Sequence, residues 1–142
     1  MLIKQISIFV ENKQGRLSAI LNILRDNDID IRALSIADTM DFGILRLIVN
    51  NYDKAYEVLK NHECTVTVTD VIGVGISDEP GGLSKVMEML DQNQINIEYM
   101  YAFITENNGT ANVILRVEDN DKAIGVLTRN NVRVLTTEEV QK

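Results

Sequence analysis

One segment of the sequence combines a carboxylate, a proline and two adjacent glycines just before an amphipathic stretch. This segment is Asp78-Glu79-Pro80-Gly81-Gly82-Leu83. An aspartate here can cap a helix, a proline presets the backbone at its start, and glycines let a ligand approach the main chain. The exposed N–H groups and positive dipole of a helix start favour a carboxylate, while Asp78 offers a partner for an ammonium group. A free amino acid presents both groups.

A weaker form of this segment occurs earlier, at Asn12-Lys13-Gln14-Gly15-Arg16-Leu17. Asn12 takes the capping place, proline is missing, and Arg16 replaces the second glycine. Arg16 either adds a contact to a bound carboxylate or is simply solvated. Both segments are also compatible with a well-capped helix that binds nothing.

The two segments belong to an internal repeat, which we take as the main guide to the fold. A shift of 66 residues aligns Gly15, Leu17, Ser18, Leu24, Asn27, Ile29 and Ile31 with Gly81, Leu83, Ser84, Leu90, Asn93, Ile95 and Ile97. Further along, the shift becomes 68 and aligns Asp53-Lys54-Ala55 with Asp121-Lys122-Ala123. We therefore predict two domains, residues 1–70 and 71–142.

The hydrophobic pattern predicts the same secondary structure in both halves. Apolar residues alternate along residues 6–10, as in a half-buried strand, and recur at helical spacing along residues 17–24. Strands are predicted at 29–38, 44–49, 64–69, 71–77, 97–105, 110–117 and 132–136, and further helices at 52–61, 82–93 and 120–129. Hairpin turns are predicted at Asp41-Phe42-Gly43 and Glu106-Asn107-Asn108-Gly109.

This order, βαββαβ, predicts an α+β fold of two ferredoxin-like units. Right-handed crossovers place both helices of each unit on one face of a four-stranded antiparallel sheet. The other face and the sheet edges need a cover, so we expect a homodimer.

Composition excludes several classes of function. The chain has 142 residues, 45% of them hydrophobic, and a formal net charge of −7, which disfavours nucleic acid and anionic membrane. No apolar run is long enough to span a bilayer and no secretory leader is recognisable, so we expect a cytoplasmic protein. Cys64 and His62 are the only residues of their types, with no catalytic partner suggested by spacing. We expect no enzymatic activity, no metal and no cofactor.

With both loops and both predicted βαββαβ units in view, the chain resembles a pair of ACT domains. The resemblance covers nearly the whole chain and rests on the two Asp/Asn-x-x-Gly-x-Leu loops and on Ile-x-Ile strands at Ile29–Ile31 and Ile95–Ile97. It implies a non-catalytic regulatory protein that binds an amino acid at interfaces between ACT units. An amino-acid-metabolism enzyme is an implied partner.

The family pattern also implies which residues bind the ligand. The loops supply polar side chains and glycine amides, and the start of the second strand of a neighbouring unit adds a polar group. Carried onto this chain, these are Asn12, Gly15, Arg16, Leu17, Asp78, Pro80, Gly81, Gly82 and Leu83 from the loops, and Asp30 and Asn96 from the strands. Because Asp30 would repel a carboxylate, the loop of the second unit is our first choice.

Two other interpretations remain open. The first unit also resembles the N-terminal ACT domain of the acetolactate synthase small regulatory subunit, through Glu11–Gly15 and Ile29–Ser35, which implies branched-chain amino acids as ligands. Alternatively, the protein is a plain assembly module whose sheets dimerise or dock an enzyme while its loops stay empty.

Overall fold

A computed structural model describes residues 2–38, 41–104 and 109–141 of the chain. The elements are β1 (Ile3–Glu11), α1 (Arg16–Asp26), β2 (Ile31–Asp38), β3 (Phe42–Val49), α2 (Tyr52–Asn61), β4 (Val66–Ser77), α3 (Gly82–Gln92), β5 (Ile97–Ala102), β6 (Thr110–Val117), α4 (Asn120–Arg129), β7 (Arg133–Val134) and α5 (Thr137–Gln141). The α+β class and the repeated βαββαβ order predicted from the sequence are confirmed.

The chain divides into two compact units, built mainly on Lys4–Thr69 and on Asp70–Glu139. Leu2 and Ile3 belong to the second unit, and Val140 belongs to the first. Each unit has its own hydrophobic core, because one face of each sheet packs against its two helices.

In the first unit the strand order is β2-β3-β1, followed by the first part of β4. The strand pairs β1–β3 and β2–β3 are antiparallel. Alternate strand residues point toward α1 and α2, which explains the period of two seen in the sequence. The core consists of Ile6, Ile8, Ile20, Leu24, Ile29, Leu45, Leu47, Val49, Ala55, Leu59 and Val66.

In the second unit the strand order is β7-β4-β6-β5, and every pair is antiparallel. Its helix-facing core includes Ile72, Val74, Val86, Leu90, Val113, Leu115, Val117, Ala123, Val126 and Leu127. The opposite face of this sheet is covered at Gly73, where an added Cβ would lie 2.6 Å from Ile3 Cδ1 and 3.1 Å from Leu135 Cδ1. Gly73 therefore leaves room for two apolar side chains.

Two local predictions differ from the structure, and a third lies mostly outside the described residues. The strands predicted at 64–69 and 71–77 form the single strand β4, because Val66–Ile72 contains neither glycine nor proline and is β-branched at every position except Asp70. Phe42 and Gly43 are the first two residues of β3, so the position predicted for the turn, Asp41-Phe42-Gly43, is wrong. The turn at Glu106-Asn107-Asn108-Gly109 falls mostly outside the described residues; Gly109 is described and has a φ of 70°.

Candidate functional site

The loop before α3 is a tight turn whose residues match its geometry. The N–H of Gly82 donates to the carbonyl of Glu79 at 3.0 Å, and Gly81, between them, has φ 89° and ψ −7°. A type II turn has this geometry, with proline favoured at its second position and glycine at its third. Pro80 and Gly81 therefore lie where the turn needs them, and the helix starts directly afterwards.

The equivalent loop of the first unit has the same turn without proline. The N–H of Arg16 donates to the carbonyl of Lys13 at 3.2 Å, and Gly15 has φ 87° and ψ −11°. No atom lies within 4 Å of the Cβ position at either Gly15 or Gly81, so only their backbone conformation requires glycine.

Helix α3 begins without a side-chain cap. The N-cap residue is Gly81, and Asp78, expected to cap this helix, makes no capping bond. The N–H groups of Leu83 and Ser84 donate to no acceptor in the described ranges. Among the residues that the structure describes, two backbone donors and the positive end of the helix dipole therefore have no protein partner.

The second helix of each unit is capped in the ordinary way. Asn51 Oδ1 accepts from the N–H of Lys54 at 3.2 Å, and Asp119 Oδ1 accepts from the N–H of Lys122 at 3.1 Å. Helix α1 resembles α3 instead, because its N-cap is Gly15 and no side chain caps it. Both units thus cap one helix and leave the other open at the loop that the sequence singled out.

A cavity of about 420 Å³ adjoins the open start of α3. Pro80, Gly81 and Gly82 form one side, and the segment Asn130–Arg133 forms another. The remaining lining residues are Gly75, Ile76, Ser77, Glu79, Lys85, Val86 and Met89. The acid that lines this cavity is Glu79, whereas Asp78, the carboxylate favoured from the sequence, does not line it.

Charged side chains in and beside the first-unit loop interact with one another. The Lys13 ammonium lies 3.1 Å from the Glu11 carboxylate. A hydrogen bond from Lys13, the charge of Lys13 and the charge of Arg16 together lower the pKa of Glu11 below its usual 4.5. Glu11 thus pairs with Lys13, and Arg16 acts on its carboxylate only through its charge.

The two strand residues implied by the family pattern lie apart from the loops of their own units. Asp30 forms an ion pair with Arg32, with Oδ2 and Nη1 2.9 Å apart, and its N–H donates to Asn50 Oδ1. Asn96 lines a separate cavity of about 580 Å³ near the start of α4. Asn96 is not among the residues that line the cavity beside Gly81.

The remaining first-unit candidates are divided between two cavities. Asn12 and Leu17 line a cavity of about 150 Å³ together with Ile36 and Phe42. Arg16 lines a different cavity of about 370 Å³. Leu83, in the second unit, is partly exposed.

Sequence reasoning missed the wall formed by Asn130–Arg133 and the ammonium of Lys85. The spacing from Gly81 to Lys85 could have indicated this, because residues four apart share a helix face.

In the described ranges, no group of three or more histidine, cysteine, aspartate or glutamate side chains is placed to hold a metal ion. None of the described helices combines the length and apolar character needed to cross a membrane.

The fold and the repeated open helix starts define a protein built from paired ferredoxin-like modules. Protein BT0572 from Bacteroides thetaiotaomicron has a similar structure, with 44% sequence identity and a TM-score of 0.94 over 100% of this chain and 97% of that chain. The ligand-free regulatory subunit of aspartate kinase from Thermus thermophilus is 16% identical, with a TM-score of 0.65 over 89% of this chain and 90% of that one. At this identity the likeness concerns the fold alone.

The family comparison assigns the chain more narrowly. The family model described as an ACT domain pair matches residues 1–142, and the chain belongs to this family. The resemblance inferred from the two loops is thereby confirmed. No curated protein matches the chain.

Proposed function

We propose that this ACT domain pair is a non-catalytic regulatory protein that binds a free amino acid at the loop of its second unit. The observation that carries the proposal is the open start of α3, where the N–H groups of Leu83 and Ser84 have no acceptor in the described ranges. Gly81 and Gly82, the residues directly before them, line the cavity. The ligand α-carboxylate would accept from these groups, and its ammonium would pair with Glu79. Asp78, Asn96 and the first-unit residues are secondary candidates.

Regulation is the role that this site supports. Solved structures of similar fold include regulatory subunits of aspartate kinase from Thermus thermophilus and Thermus flavus. We infer that the bound amino acid favours one arrangement of ACT units through differential affinity, and that an enzyme of amino-acid metabolism responds. Catalysis has no place in this account.

The proposal also includes a homodimer. In the first unit, β2 forms the edge of the sheet, and Leu34 and Ile36 on it remain 37% and 43% exposed. An edge strand with exposed apolar residues favours pairing with another chain. Sedimentation should give a dimer for the wild type and a monomer for Ile36→Lys, and a dimeric Ile36→Lys would exclude this edge.

Thermal shift with the twenty common amino acids tests ligand binding. A ligand at 100 times its Kd should stabilise the protein by about 2.7 kcal/mol. The panel contains the branched-chain amino acids, which the resemblance to the acetolactate synthase small subunit implies. Flat curves for all twenty would leave the assembly module as the better account.

Two variants at Gly81 then locate the site. Any residue other than glycine is strained at φ 89°, but asparagine and aspartate tolerate positive φ best. Gly81→Asp adds a negative charge where we place the ligand carboxylate, and Gly81→Asn adds nearly the same volume without charge. Titration calorimetry should show binding lost in Gly81→Asp and retained at reduced affinity in Gly81→Asn. Equal affinities in both variants would place the site elsewhere.

A further inference from the structure

The cavity beside α3 has a counterpart at equivalent positions of the first unit. That counterpart, of about 370 Å³, is formed by the end of β1, one side of α1 and the segment His62–Thr65. The sequence shift of 68 that relates the second helices aligns His62–Thr65 with Asn130–Arg133. The repeat therefore provides two cavities of the same construction whose side chains can be compared position by position.

The two cavities differ in charge. Ala19 of the first unit corresponds to Lys85, Glu63 to Asn131, and Thr65 to Arg133. Each of these three differences makes the second cavity more positive. The ionised lining residues of the first cavity are Glu11, Arg16 and Glu63, and those of the second are Glu79, Lys85 and Arg133. The first lining therefore has two acids and one base, whereas the second has one acid and two bases, of which Arg133 pairs with Glu139.

Lys85 is the less engaged of the two cations. It forms no ion pair within the described ranges, whereas Arg133 pairs with Glu139. The N–H of Lys85 donates to the carbonyl of Gly81, so Lys85 lies about one helical turn from the open helix start. Side chains of a helix tilt toward its N-terminus, which directs Lys85 back toward the same end as the open amides.

We propose that the second cavity selects amino acids with an acidic side chain. This inference rests on the proposed function, because the α-carboxylate occupies the open helix start. The side-chain carboxylate then pairs with Lys85, the lining cation that has no ion pair within the described ranges. Glu79 takes the ammonium group, so each ionised group of the ligand meets an opposite charge. The first cavity has no cation at either equivalent position, and Glu11 and Glu63 accompany its Arg16, so we assign it no such preference.

Calorimetric titration of the full chain with L-aspartate, L-asparagine, L-glutamate and L-glutamine tests this selectivity. Each acid and its amide have nearly the same shape, so their affinity ratio isolates the charge. We expect at least one acid to bind about tenfold or more tightly than its amide. Lys85→Met keeps the apolar stem but removes the charge, and should reduce that ratio to about one. Lys54→Met, at an exposed lysine of α2, is the control and should leave the ratio unchanged.

The outcomes separate this inference from the proposed function. If Asn or Gln binds as tightly as its acid, or if Lys85→Met keeps the wild-type ratio, the selectivity inference is wrong. If Gly81→Asp nevertheless abolishes binding of the amino acids that bind the wild type, the proposed site is supported although the selectivity inference is wrong. If no amino acid binds the wild type at all, both proposals fail together.

Discussion

Gly82 packs against the main-chain carbonyl oxygen of Ser77 so closely that a Cβ atom at position 82 would overlap that oxygen. The same oxygen accepts from the N–H of Glu79 at 3.0 Å, which holds it in the turn. Gly82 is therefore required by packing, whereas Gly81 is required by its positive φ. The two adjacent glycines of the loop are therefore required for different physical reasons.

Gly82→Ala should destabilise the protein. Its Cβ must displace a main-chain oxygen, and overpacking of this kind costs about 1–3 kcal/mol. Gly125→Ala is the matched control, because its Cβ would meet only Arg129 Nη1 at 3.6 Å within helix α4. There alanine should stabilise by about 0.5–1 kcal/mol. Urea denaturation measures both, and a wild-type stability for Gly82→Ala would contradict the close approach to Ser77.

Removing the two aspartates that precede helices should have unequal effects. Asp119→Ala deletes the cap of α4 and should cost about 1 kcal/mol. Asp78→Ala removes no cap from α3, so we expect a change within about 0.5 kcal/mol, as for a surface residue. Denaturation of the ligand-free protein compares them, and a loss for Asp78→Ala equal to that for Asp119→Ala would show that α3 is capped after all.

The repeat made most of the fold predictable. Periods of two and 3.6 follow from which residues face the core, and those faces are the same in both units. The glycine in Asp41-Phe42-Gly43 suggested a turn, but glycine also occurs within strands, and Phe42 and Gly43 belong to β3. β4 is continuous because strand-forming residues lie on both sides of Asp70. The repeat boundary predicted from the sequence fell at this point and divided the strand in two.

The candidate site was only partly predictable. Pro80 and Gly81 match a type II turn by type and spacing, so the loop could be found in the sequence. The prediction that Asp78 caps α3 was wrong, because the turn that follows Asp78 places the N-cap at Gly81. Asn130–Arg133 reaches the cavity only through tertiary packing, and no local pattern near residue 80 indicates a wall about fifty residues away.

Cys64 should react slowly with thiol reagents. Burial raises the pKa of its thiol above the ordinary 9.0, and the thiolate is the nucleophile. At pH 8 the rate of alkylation by iodoacetamide should therefore be lower than that of glutathione under the same conditions. The rate should continue to rise above pH 9, and a midpoint below 9 would contradict the effect of burial.

Glu139 should stabilise the second unit in a pH-dependent way. Burial alone would raise its pKa, but bonds from the N–H and hydroxyl of Thr136 and the charge of Arg133 outweigh it and lower the pKa below 4.5. A carboxylate with a lowered folded pKa contributes stability above its unfolded pKa and loses it as the pH falls through the folded value. The contribution is therefore present at pH 7 and declines below about pH 4.5.

Glu139→Gln tests this contribution by urea denaturation across that pH range. Because the pair is largely exposed and screened by solvent, we expect a loss of about 0.5 kcal/mol at pH 7. The difference from the wild type should shrink as the pH falls below 4.5, and added salt should reduce it at pH 7. Glu138→Gln, a neighbouring exposed residue without an ion pair within the described ranges, should change stability little at either pH. A difference for Glu139→Gln that grows on acidification would reverse the sign and refute the role assigned to Arg133 and Thr136.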